Sequence, residues 1–116
     1  MAKRAKAYVD GRLVADDVIY ANHMFARMKG LLGKDELRPG EGCFLIPCGS
    51  IHCKGMKFPI DVVYVDRSNR VLHVETCAPG SMGAHVKGAH AVLELTAGIA
   101  LEAGIREGCQ LEVVPR

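Results

Sequence analysis

Residues 50–66, SIHCKGMKFPIDVVYVD, set a histidine, a thiol, a thioether and a carboxylate ahead of a continuous apolar run. With Cys48 four residues before it and Cys53 directly after it, His52 invites two chemistries. One is a thiolate nucleophile activated by an imidazole, which needs a lowered thiol pKa and a ring within hydrogen-bond reach. The other is a zinc site. Cys43, Cys48 and Cys53 recur every five residues, whereas structural zinc sites use a pair on a tight turn and a second pair far away. In an extended segment neighbouring side chains face opposite ways, which separates His52 from Cys53. No metal or other cofactor is expected, and the thiols read as small buried apolar residues.

Asp61 poses a sharper problem. It heads the apolar run IDVVYVD and shares a face with Val63 and Val65, so its carboxylate requires partners. The expected ones are backbone N–H groups of the preceding turn, His52, or Arg27, whose stem flanks the apolar stripe of a first helix. Met56 either fills a core gap or lines an adaptable groove. Arg27, His52, Met56 and Asp61 are therefore the candidate binding patch. Cys48, His52 and Asp61 are the weak catalytic alternative.

The elements that must position these residues are mostly strands. Asp10-Gly11 between two alternating segments predicts an opening hairpin. Met24, Phe25, Met28, Leu31 and Leu32 fall on one side of a helix, with Asn22 as its cap and Gly33 as its stop. Residues 34–42, KDELRPGEG, read as a surface loop, and residues 43–46 begin a buried strand. IDVVYVD and RVLHVETC flank the polar connection Arg67-Ser68-Asn69, the strongest hairpin signal in the chain. Residues 78–88, APGSMGAHVKG, lack periodicity and predict a long, mobile loop.

Residues 89–95 then form a strand, in which Glu94 alternates outward between Leu93 and Leu95. Thr96 caps a short helix, AGIALEA, that stops at Gly104. Residues 109–114 close the chain as a strand. Hairpins rather than helical crossovers between neighbours favour antiparallel pairing in a curved or barrel-like sheet, a mainly β domain with one helix near the start and one near the end.

At 116 residues the chain is one domain's worth, and it reads as a single domain over residues 1–116. Its apolar runs stop short of the ~20 residues of a membrane-spanning helix. The start, MAKRAKAYVDGRLVADD, lacks the apolar stretch of a secretory signal, so the expected address is the cytoplasm, where five cysteines would stay reduced. A net charge of +2 from interspersed signs, with 5% aromatics and no Trp, argues against nucleic-acid binding.

Four blocks carry a family resemblance: residues 27–33 (RMKGLLG); Pro47-Cys48 with Ser50-Ile51-His52, Met56 and FPID at residues 58–61; LELTAG at residues 93–98; and Gly104-Ile105 with Gly108. In this order they resemble the DUF192 family, also called UPF0127, over nearly the whole chain. The resemblance implies a small prokaryotic, mainly β domain with no agreed biochemical activity. Cys53 and Lys54 stand where the family commonly has a threonine and an aromatic residue.

On these grounds the expected function is a non-enzymatic binding or accessory module, recognising a small ligand or a protein through the patch around His52 and Asp61. The alternatives are a small thiol- or metal-dependent enzyme at Cys48, His52 and Asp61, and a structural or assembly role.

Overall fold

A computed structural model describes residues 3–22 and 30–116. Its strands are β1 (Lys3–Val9), β2 (Arg12–Ala21), β3 (Glu41–Leu45), β4 (Ile60–Val65), β5 (Val71–Cys77), β6 (Ala91–Thr96) and β7 (Leu111–Pro115); one short helix, α1 (Ile99–Ala103), lies between β6 and β7. They form one seven-stranded sheet in the order β5-β4-β6-β3-β2-β1-β7. The two outer strands curl toward each other, and an isolated bridge pairs Arg70 with Gln110. Val71 N–H donates to Cys109 O at 2.8 Å and Gly108 N–H to Val71 O at 2.9 Å, so the half-barrel closes at that end.

Both predicted hairpins form. Asp10 and Gly11 take φ of 49° and 81°, the positive pair that a tight β1–β2 turn requires. In the β4–β5 connection the Asp66 carboxylate accepts the N–H groups of Ser68 and Arg70, each at 2.9 Å, while Asn69 occupies the left-handed region at φ 61°.

The sheet is mixed, which corrects the antiparallel expectation: β2 and β3 pair in parallel, Asp17 opposite Glu41 through Ala21 opposite Leu45. Gly40 O accepts the N–H groups of Asp16 and Asp17, and from there β3 sets out in the direction of β2. The expected first helix falls mainly on residues 23–29, outside the described residues. Beyond them, residues 30–33 form turns. The second helix starts later than expected, at Ile99, with Gly98 as its N-cap and Gly104 as its C-cap. Thr96 instead ends β6, its hydroxyl donating to Arg38 O at 2.9 Å.

The sheet has a core on each face. Ala5, Ala7, Val18, Phe44, Val63, Val65, Leu93 and Leu95 fill the inside of the curl with Ala100 and Ile105. Cys43, Leu45, Ile60, Val62, Tyr64 and Val92 face the other way, beneath loop residues Leu31, Leu37, Ile51 and Cys53. Every residue of β4 is buried, because both its faces are covered.

Candidate functional site

Asp61 lies on the inner face of β4 and is 2% exposed. Its Oδ1 accepts the Thr76 hydroxyl at 2.6 Å, from the opposite residue of β5. Its Oδ2 accepts the backbone N–H groups of Gly98 and Ala100, each at 2.9 Å. Gly98 has no side chain with which to cap α1, and a carboxylate from a different strand takes that role. A buried carboxylate taking three short hydrogen bonds is well compensated. Its partners thus come from β5 and the α1 terminus rather than from the preceding turn.

The other sequence candidates lie elsewhere. Arg27 is outside the described residues. His52 is exposed and forms an isolated bridge with Met82, whereas the adjacent Cys53 is fully buried. Met56 and Cys48 are half-buried and pack on the outer core, with the Cys48 thiol donating to Ser50 O at 3.1 Å. The sheet therefore stands between Asp61 and the Cys48–Met56 loop. Among the described residues no three His, Cys, Asp or Glu side chains group as metal ligands.

Glu94 is the residue that sequence reasoning passed over. It does alternate away from Leu93 and Leu95, but the face it reaches is the covered outer one, and it is 7% exposed between β3 and β4, opposite Cys43 and Val62. Burial pushes its carboxyl up to about 7. Burial likewise pushes the Cys77 thiol up to about 12, with the Glu75 charge adding to it. Cys43 and Cys53 are raised by burial first and by Glu94 second. These thiols are held protonated, the opposite of an activated nucleophile. The sequence signal was a lone acid inside a six-residue strand with apolar or small residues on both sides.

The outer face is also fastened by Tyr64. Its hydroxyl donates to Glu75 Oε2 at 2.5 Å, and the same oxygen accepts the Ala84 N–H at 2.7 Å. Gly83 N–H donates to Ile51 O, and Cys53 N–H to Ser81 O, so the 78–88 loop is stitched to the 50–53 segment. Tight contact explains the glycine: a Cβ at Gly83 would lie 2.5 Å from Tyr64 Oη.

On the inner side, a groove of about 610 Å³ runs between β5 and α1. One wall is residues 73–76 of β5; the other is Ala100 and Leu101 of α1 with residues 105–107. Leu101 projects from it, 90% exposed. Asp61, at the base, is hydrogen-bonded to both walls and sets their spacing.

Fold and groove together define a small curled-sheet domain with a single capping helix among its described residues. The profile of the DUF192 family, described as Uncharacterized ACR, matches residues 5–113, and the chain belongs to that family of proteins of unknown function. No curated protein matches it. Solved structures of similar fold include a protein of unknown function from Novosphingobium aromaticivorans DSM 12444, at TM-score 0.79 and 21% identity over 94% of this chain and 83% of that one. Another is a candidate transcription regulator from Sinorhizobium meliloti 1021, also at TM-score 0.79 and 21% identity, over 97% of this chain and 96% of that one. No helix among the described residues is long and apolar enough to cross a membrane.

Proposed function

We propose that the domain is a non-enzymatic binding module and that its recognition site is the groove between β5 and α1. The observation that supports this reading is the position of Asp61, whose hydrogen bonds to Thr76, Gly98 and Ala100 couple the two walls. A cleft with a mainly apolar floor and a few polar groups at its rim is the usual form of a binding site. Here Val74, Ala100 and Ile105 supply the apolar lining, and the exposed Thr76, Arg106 and Glu107 the rim. Asp61 acts as the brace of the site rather than as a contact. His52 and Met56 belong to a second surface, around the exposed Met82.

A thiol- or metal-dependent enzyme at Cys48, His52 and Asp61 has less support, since the sheet separates Asp61 from the other two. An assembly role would draw on the exposed Leu101 and Met82, and predicts self-association in gel filtration as concentration rises. The groove is tested by native mass spectrometry of the purified protein for bound small molecules, followed by NMR shift mapping with a fragment library. Shifts centred on His73, Val74, Leu101 and Arg106 are expected. Shifts confined to His52, Met56 and Met82 would refute the assignment.

A further inference from the structure

The strand β5 is an edge of the sheet, and its unpaired side opens into this groove. The direction of its main-chain groups follows from its neighbours. Asp66 N–H bonds to Arg70 O, and Val65 O accepts the His90 N–H, so even-numbered residues of β4 turn toward β5 and odd-numbered ones toward β6. Tyr64 pairs with His73 and Val62 with Glu75, which turns those two residues of β5 inward. The N–H and C=O groups of Val74 and Thr76 consequently point out of the sheet. Among the described residues none takes them up.

The chain itself shows how this edge is used. At its first residue, Val71, β5 is bonded on the outer side by Gly108 and Cys109, and Arg70 pairs antiparallel with Gln110. There the pairing ends, and the chain leading into it turns away through residues 104–107 into α1. Val74 and Thr76 face the groove, the backbone of His73 and Glu75 borders it between them, and the His73 and Glu75 side chains lie on the outer face beside Tyr64, so the groove follows the edge. Residues 73–76, HVET, include neither the lysine nor the proline that commonly protects an open edge.

We infer that the groove takes an extended peptide segment of a partner protein, which adds to β5 as a further antiparallel strand and continues the pairing that Gly108 and Cys109 begin. This rests on the groove being the recognition site. The guest runs opposite to β5, its C-terminal end toward Gly108. Residues 73–76 offer it about 13 Å of edge. Its alternate side chains lie over Val74, Ala100 and Ile105 and are apolar; the intervening ones face solvent. Main-chain bonds to Val74 and Thr76 supply affinity, and the apolar floor supplies selection.

The test uses the intact chain and a phage-displayed library of random peptides, with the enriched peptide resynthesised. Binding is expected to shift the amide resonances of Val74 and Thr76 and to slow their hydrogen exchange. A scan of single N-methyl groups along the peptide is expected to weaken binding about tenfold at alternate residues and little between them. Because the change is made in the peptide, the protein's folding is not at issue. Uniform tolerance of N-methylation by a peptide that fills the groove would overturn strand addition and leave the groove standing. No enriched peptide, or enriched peptides that shift only His52 and Met82, would overturn both. Protection of Val74 and Thr76 that rises with protein concentration alone would replace the partner by a second copy of this chain.

Discussion

Thr76 Oγ1 donates to Asp61 Oδ1 at 2.6 Å across β4 and β5, while the other oxygen of the same carboxylate holds the first amides of α1. One side chain therefore joins the sheet edge to the helix. Replacing it leaves two backbone N–H groups and a hydroxyl without their acceptor. Asp61→Ala is expected to cost about 3 kcal/mol, and Thr76→Val about 1 kcal/mol, in urea unfolding followed by circular dichroism. Since the two share a bond, the double variant should lose less than the sum. Strict additivity would contradict the coupling.

Glu94 makes stability depend on pH. Its carboxyl titrates near 7 in the folded chain against an ordinary value of 4.5, so the unfolded chain releases this proton first. The contribution is complete below pH 4.5 and is lost as pH rises to about 7, after which it levels off. The loss amounts to roughly 3 kcal/mol. Urea midpoints at pH 5, 6, 7 and 8.5 should fall accordingly in the parent protein and stay flatter in Glu94→Gln. Equal slopes in the two proteins would show that Glu94 is not the titrating group.

Burial raises the thiols of Cys43, Cys53 and Cys77. An aromatic disulfide reagent at pH 7.5 is expected to leave all three unmodified in the folded protein and to label them once urea unfolds it. Rapid stoichiometric labelling of any of the three, located by peptide mass spectrometry, would reopen the case for thiol chemistry on that face.

At Gly42, in β3, a Cβ would stand 2.6 Å from the backbone oxygen of Glu94. Backbone in a paired strand cannot move aside as a flexible side chain can. Gly42→Ala is expected to cost more than about 2 kcal/mol. Gly80 has open space around it, and Gly80→Ala should cost only the strain of its φ of +82°, about 1 kcal/mol. Thermal melts of the two variants give the comparison, and equal losses would refute the crowding at Gly42.

Local chemistry in the chain was sufficient for its two predicted hairpins, but not for the start of the second helix, where Gly98 rather than Thr96 is the N-cap. Asp10-Gly11 and Arg67-Ser68-Asn69 marked the two hairpins because positive-φ and polar turn residues act within four positions. The buried runs of β4 and β6 were legible from their apolar composition, and Asp61 was legible as an acid in need of partners. Those partners were not, since Thr76, Gly98 and Ala100 lie far along the chain and meet Asp61 only when β5 and α1 are in place. The parallel pairing of β2 with β3, the Arg70–Gln110 closure and the open edge of β5 likewise depend on where the curled sheet brings distant segments. Glu94 makes the same distinction within one strand. Alternation determined that it points away from Leu93 and Leu95; only the loops folded over that face decided that it points into a core rather than into water.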